Sequence, residues 1–352
     1  MTVAPKVVIG VPLYNRADHL PEALGSLLAQ TYRDFVVILL DDCSTDETPE
    51  IVRVHAEADG RVIYRRNHAR LGLVRNWSNA FRLARQLYPT MEYFAWGSDH
   101  DVWHPRWLSA LVAEMERHPS VVLAYPQNVR ISATGETLRG SWSFDTFGIL
   151  DRWDRFRTVT LGPKAGDRVY GLFRAKALAQ TGLLWPVLLP DNLMQSELAL
   201  YGQFKQVPEV LWSRRFEGTF SRARQRRSFF PHRPPAYSYL PWSLMHTAVL
   251  LYRLGLRGAG RQTFGRLRGG CYALGYLPLA ATVEGRSVAR KKLIRPARAA
   301  LKRWRRRALA RLSALGVWRD GKSRRRRRAQ RTLPPDADRS RDRMARRSER
   351  AK

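Results

Sequence analysis

Residues 6–46 read KVVIGVPLYNRADHLPEALGSLLAQTYRDFVVILLDDCSTD, and the order of patterns in that stretch decides the fold class. Lys6 to Pro12 is a Val- and Ile-rich run without alternation, the pattern of a strand buried on both faces. Asp18 stands where a helix cap is expected, and Leu20, Ala23, Leu24, Leu27 and Leu28 then fall on one helical face. Phe35 to Leu40 repeats the buried-strand pattern and ends in Asp41-Asp42. Ser44-Thr45-Asp46 is then expected to open a helix through Ile51 and Val54, with an oxygen-bearing cap and an acidic first turn. Such alternation predicts an α/β fold, a Rossmann-like, mostly parallel sheet with helices on both faces.

The alternation continues downstream. Arg61 to Tyr64, Glu92 to Trp96, Val121 to Tyr125 and Val207 to Trp212 read as strands. Val74, Trp77, Phe81, Ala84 and Tyr88 form one amphipathic face; Trp107, Leu108, Leu111, Val112 and Met115 form another. Ligands of such sheets sit beyond the carboxyl ends of the strands. Three of those ends are polar here: Pro12-Leu13-Tyr14-Asn15, Asp41-Asp42 and Asp99-His100-Asp101. One aspartate after a strand is an ordinary turn residue, whereas three polar ends on one edge point to a site. Asp99 and Asp101 suit one Mg²⁺ or Mn²⁺, which takes one or two carboxylates and completes its shell with phosphate oxygens. His100 is either a third donor or a hydrogen-bonded loop histidine. No Gly-x-Gly-x-x-Gly follows the first strand and no phosphate-binding Gly-x-x-x-x-Gly-Lys-Ser/Thr occurs, which disfavours dinucleotide-dependent hydride transfer and P-loop hydrolysis. Trp96 and Trp103 either line a sugar pocket or pack the core.

Val8 to Arg16, Leu27 to Gln30 and Leu40 to Asp46 together resemble the family-two glycosyltransferases of the GT-A fold, whose first strand ends in Pro-x-Tyr-Asn and second in Asp-Asp-Gly-Ser-x-Asp. Cys43 replaces the glycine, which is tolerable if the turn needs no positive φ. Asn67, Gly72, Arg75 and Asn76 resemble the family's Asn-x-Gly and Ala-Arg-Asn elements, and Asp99-His100-Asp101 resembles its metal-binding Asp-x-Asp. Pro190-Asp191 is similar to its Glu-Asp segment, with Pro190 in place of the Glu, and Arg214-Arg215 resembles the arginine after its last core strand.

The resemblance covers roughly residues 6–220 and implies an inverting sugar transfer from a nucleotide-diphospho sugar to a hydroxyl. It implies Asp191 as general base, with Glu197 a second candidate and a helix cap the plainer role for Asp191. It implies donor contacts from Pro12, Tyr14, Asn15, Asp41, Asp42, Asn67, Arg75, Asp99 and Arg215. A Mn²⁺ or Mg²⁺ ion would be held by Asp99, Asp101 and His100. The competing class is a non-catalytic scaffold on a degenerate transferase domain, motivated by His100 and Pro190. A nucleotidyltransferase would need a Gly-rich basic loop that Pro12 to Arg16 lacks.

The formal charge is +32, but residues 286–352 hold 27 Lys and Arg against 5 Asp and Glu, so most of the excess lies in a tail. Three regions follow: a catalytic domain at 1–220, a helical extension at 221–285 and a basic tail at 286–352. Cys43 and Cys271 are too few for a disulfide framework or a four-ligand zinc site and fit a reducing compartment. Met1 to Lys6 has no signal-peptide pattern. Residues 234–256 are apolar but broken by Pro234, Pro235, Pro241 and His246, a poor spanning helix that could still rest at a membrane. Arg222, Arg224, Arg226 and Arg227 read as a solvated basic loop. Leu301, Trp304, Ala308, Leu309, Leu312 and Leu315 recur at helical spacing among arginines, the composition of an anchor on anionic lipid. Nucleic-acid binding is the rival reading, disfavoured because no aromatic platform is interleaved. The expectation is a peripheral protein on the cytoplasmic face of the cell membrane with a glycan or lipid-linked acceptor.

Overall fold

The computed structural model describes residues 4–140, 143–163, 165–216 and 221–289. Among these, nine strands form one mixed sheet: β1 (Val7–Leu13), β2 (Phe35–Asp41), β3 (Val62–Arg66), β4 (Tyr93–Trp96), β5 (Val102–Trp103), β6 (Val121–Ile131), β7 (Thr137–Arg139), β8 (Leu172–Arg174) and β9 (Gln203–Arg215). Their order is β3-β2-β1-β4-β8-β6-β9-β5, with β7 beside β6. Strands β3, β2, β1 and β4 run parallel, β8 is antiparallel to both β4 and β6, and β9 runs parallel to β6.

The helices are α1 (Leu20–Leu28), α2 (Thr48–Ala58), α3 (Leu73–Leu87), α4 (Trp107–Arg117), α5 (Arg152–Leu161), α6 (Ala165–Arg168), α7 (Ala175–Leu178), α8 (Pro190–Ala199), α9 (Arg222–Phe229), α10 (Trp242–Leu250), α11 (Ala259–Phe264) and α12 (Arg266–Ala289). Every residue of β1 is buried, as the unbroken apolar run requires of a central strand. Leu20, Ala23, Leu24 and Leu27 of α1, and Trp107, Leu108, Leu111, Val112 and Met115 of α4, turn their predicted faces inward.

The predicted helix starts need correction. His19, not Asp18, precedes α1, and no side chain caps it. The second helix starts at Thr48 because Asp46 accepts the Thr48 amide at 3.1 Å, while Ser44 donates to Asp41 instead of capping. The basic run at 222–227 is helical rather than a loop, since the Ser221 hydroxyl accepts the Arg224 amide at 3.1 Å and caps α9.

Pairing between β1 and β4 stops at Gly10 opposite Trp96, and the Gly97 amide closes the ladder on the Gly10 carbonyl at 3.0 Å. Beyond that point β1 keeps only β2 as a neighbour, and the sheet opens into a cleft at its carboxyl edge. Pro12 falls where pairing with β4 has ended, which is where a central strand tolerates a proline.

The compact unit runs through Glu284. Within it, a second apolar core joins α5 and α8 to the C-terminal helices: Phe156, Leu188, Leu193 and Leu200 pack with Trp242, Leu250, Ala273 and Tyr276. No helix among the described residues is long and apolar enough to cross a membrane. The basic helix expected from Leu301 to Leu315 and the run Arg324 to Arg328 lie outside the described residues.

Candidate active site

The ends of β1 and β2 are knitted together by the residues that the sequence marks. Asn15 adopts a left-handed backbone (φ 50), accepts the Thr45 amide on Oδ1 at 2.9 Å and donates its own amide to Ser44 Oγ at 3.0 Å. Asp41 is fully buried; its Oδ1 accepts the Ser44 amide at 2.9 Å and hydroxyl at 2.5 Å, and its Oδ2 accepts the Tyr64 hydroxyl at 3.1 Å. Asp42 accepts three donors from the next loop: Asn67 Nδ2 at 3.0 Å, the Leu71 amide at 2.7 Å and the Gly72 amide at 2.8 Å. Gly72 has φ +85, so that last bond requires a residue without a Cβ. Asn67 also donates to Asn76 Oδ1, and Asn76 to the Leu40 carbonyl. Tyr14 lies half-buried under the Arg70 guanidinium, 3.8 Å from its ring centroid.

Cys43 sits at φ 63, so the turn does need a positive φ and the condition for tolerating the replacement is not met. The cost of that conformation for a side chain with a Cβ is partly offset by the Sγ–H donated to the Asn67 carbonyl at 3.1 Å.

After β4 the chain carries Asp99, His100 and Asp101. Asp99 and His100 are half-buried and reach the cleft, with His100 Nδ1 2.5 Å from Asp99 Oδ1 and Nε2 3.7 Å from Asp101 Oδ1. Arg16, from the loop after β1, lies 3.3 Å from Asp99 Oδ2. Burial pushes the Asp99 pKa up, but the His100 bond and Arg16 outweigh it and hold the carboxyl below its usual range. Asp101 is buried, accepting Trp212 Nε1 at 3.0 Å and the Arg215 amide at 2.8 Å, and its pKa is raised by that burial. Strand β9 thereby fixes this loop. The Arg215 guanidinium completes the clamp: Nε donates to the His100 carbonyl at 2.8 Å, Nη1 to the Ala133 carbonyl at 2.6 Å, and Nη2 pairs with Glu22 at 2.5 Å. Arg215 therefore has no free face for a diphosphate. Its neighbour Arg214 has one.

Arg214 bonds the Gly166 carbonyl at 3.1 Å and pairs with the buried Asp167. A Cβ placed on Gly166 would lie 3.2 Å from Asp191 Oδ2 and 3.9 Å from Arg214 Nη1, so the base candidate and the cation face the same small space. Asp191 lies in the first turn of α8, bonded among the described residues only to backbone amides of its own turn; burial raises its pKa above the ordinary carboxylate range. Arg168 beside it donates to Gln195 and to the Pro163 carbonyl, and burial lowers its pKa to about 10.

The turn before Asp191 is strained and held from behind. Leu189 has φ 55, a conformation that persists in a side-chain-bearing residue only when its surroundings dictate it. His246 of α10 supplies that constraint: Nε2 donates to the Leu188 carbonyl at 2.7 Å and Nδ1 accepts the Tyr276 hydroxyl at 2.7 Å. With both nitrogens so engaged and burial lowering its pKa to about 4, the imidazole is neutral.

Other predicted residues lie elsewhere. Arg75 is exposed on α3 and faces residues 181–186, away from the aspartate cluster. Glu197 is buried against Arg253 at 3.2 Å and accepts the Gly182 amide at 2.8 Å, a structural ion pair on the far side of α8. Trp96 and Trp103 are core residues: Trp96 stacks on Trp77, and Trp103 lies parallel to Trp212 at 5.5 Å. Sequence reasoning missed Asp167, Arg168 and His246. The signal for the first two was a charged pair flanked by Gly166 and an apolar strand; for His246 it was an isolated imidazole in an apolar run.

Among the described residues, no three His, Cys, Asp or Glu side chains form a complete cation cage. The donor set nonetheless suits a sparsely ligated divalent ion. Asp99 holds one oxygen against His100 and the other against Arg16, and Asp101 accepts Trp212 Nε1 on one oxygen and the Arg215 amide on the other, so two neighbouring carboxylates and an imidazole share one loop.

The Glycosyl transferase family 2 model matches residues 8–178. The EpsE protein of Bacillus subtilis is 30% identical over 154 residues, which is 42% of this chain and 48% of EpsE. Glycosyltransferase GlyA of Streptococcus pneumoniae is 35% identical over 77 residues, 22% of this chain and 11% of GlyA. The match thus spans about half of EpsE and a tenth of GlyA. Among solved structures, S. aureus TarS 1–349 in complex with UDP-GlcNAc superposes with a TM-score of 0.57 at 14% identity, covering 82% of this chain and 74% of TarS 1–349. That likeness establishes a common fold, the GT-A fold.

Proposed function

Residues 8–178 belong to glycosyltransferase family 2, and from that premise we propose that the protein transfers a sugar from a nucleotide-diphospho sugar to an acceptor hydroxyl with inversion at the anomeric carbon. The observation that carries the proposal is the meeting of Asp191 and Arg214 over Gly166, with β9 tying Arg214 to the strand residue that holds Asp101. Asp191 is placed to accept the acceptor's proton, and a raised pKa makes it a better base than an ordinary carboxylate at neutral pH. As the proton moves to Asp191, the acceptor oxygen bonds to the anomeric carbon and the bond from that carbon to the diphosphate breaks. The leaving diphosphate takes the electron pair. Arg214 supplies a fixed positive charge for it. Asp99, His100 and Asp101 would hold Mn²⁺ or Mg²⁺, which when bound neutralises charge on the departing phosphates.

The acceptor we propose is a cell-envelope glycan or a lipid-linked one, used at the cytoplasmic face of a membrane. Leu244, Tyr252 and Leu256 support that placement, being exposed on α10 and the π-helical turn (Leu251–Leu256) that continues it.

The test is a thermal-shift screen of the full chain against UDP, dTDP, GDP, CMP and ADP, each with and without Mn²⁺ or Mg²⁺. A ligand that binds only the folded state raises its Tm. The expected result is metal-dependent stabilisation by one diphosphate, lost in Asp99→Ala. No shift with any nucleotide from a folded sample would favour the scaffold instead.

A further inference from the structure

A cavity of 710 Å³ lies between the outer face of α3 and residues 179–186, outside the aspartate cluster. Arg75, Arg82 and Arg85 recur along one side of α3 at spacings that share a helical face, and all three are exposed. The opposite wall is pinned to that helix by the Ser78 hydroxyl, which donates to the Leu184 carbonyl at 3.0 Å. Arg253 enters from the far side, half-buried and fixed by Glu197 at 3.2 Å and by the Gln180 carbonyl at 2.7 Å.

Four guanidinium groups thus line one cavity, and no carboxylate among the described residues lines it. Glu197 lies behind Arg253 and is already spent on it and on the Gly182 amide. Like charges gathered in this way repel unless an anion joins them, and planar guanidinium forks fit phosphate oxygens best. The cavity also has an apolar floor of Phe81, Leu184 and Trp185, with the Trp185 ring edge-on to exposed Tyr252 at 6.0 Å. We propose that this cavity binds a phosphate-bearing ligand, the arginines taking the phosphate and the floor taking the adjoining carbon portion. Occupancy requires no sugar transfer. The residues that touch such a ligand, ending at Pro186, lead within a few positions into the strained turn before Asp191.

Isothermal titration of the full chain with two probes tests this: inorganic pyrophosphate and soluble dioctanoyl phosphatidate. The double variant Arg82→Gln with Arg85→Gln alters exposed side chains of a formed helix. A control, Arg33→Gln with Arg65→Gln, removes the same charge from exposed positions elsewhere. The expected result is a Kd raised roughly tenfold or more in the first variant and unchanged in the control. Phosphatidate binding tighter than pyrophosphate identifies a lipid source for the phosphate; equal affinity identifies a soluble one. Wild-type affinity in Arg82→Gln with Arg85→Gln, or an equal loss in the control, overturns the site and leaves only diffuse positive charge.

Discussion

Asp42 and Asp191 are both buried or half-buried carboxylates near the open edge of the sheet, and their surroundings are opposite. Asp42 accepts an amide side chain and two backbone amides from another loop, which brings residues 67–72 against β2. Among the described residues Asp191 accepts only the amides of its own turn, and burial raises its pKa. A carboxylate saturated with donors holds structure together. One that is half-buried and short of donors is costlier to ionise and readier to take a proton. The candidate site combines both kinds: Asp41, Asp42 and Asp101 build the edge, and Asp191 is left to do chemistry on it.

The sharpest way to break this comparison is to neutralise each member. Asp191→Asn is expected to lower the transfer rate by roughly a hundred- to ten-thousand-fold with Tm unchanged or raised, measured by product formation and thermal melting. Asp42→Ala should do the reverse in kind. Three stranded donors are expected to cost about 2–4 kcal/mol of stability by denaturant unfolding, and activity should fall only with the folded fraction.

His246 sharpens the contrast from behind Asp191. Its folded pKa of about 4 lies below its ordinary 6.5, so the unfolded chain binds the extra proton first. Its contribution is full above pH 6.5 and is lost as pH falls toward 4, at most about 3 kcal/mol. His246→Gln should flatten that part of the wild-type curve of Tm against pH. A Gln variant with the same steepness would remove His246 from the account. The smallest expected effect is at Cys43: replacement by Gly relieves the left-handed strain and should raise stability by no more than about 1 kcal/mol.

What was legible in the sequence follows from how each feature is encoded. Buried parallel strands announce themselves as apolar runs, so β1 and β2 and the aspartates at their ends could be read directly. Strands β5, β7 and β8 are two or three residues long and too short to show a period. Arg214 and Arg215 are adjacent, and no local pattern says which one faces inward; alternation along β9 decides it, burying Arg215 in the clamp on His100. Cys43 shows a limit of another sort, since its positive φ is imposed by the turn that follows Asp41 and packs against the Asn67 carbonyl, not by its own preference. His246 belongs to a helix far along the chain from Leu188, and only the packing of α10 behind α8 reveals what it holds.

The most direct test of the central claim is the pH dependence of the transfer rate, measured with the donor that the binding screen identifies. A half-buried, under-bonded Asp191 acting as the base predicts an acid limb inflecting above the ordinary aspartate value near 4, and no such limb in the residual rate of Asp191→Asn. An inflection at the ordinary value, or the same limb persisting in Asp191→Asn, would contradict it.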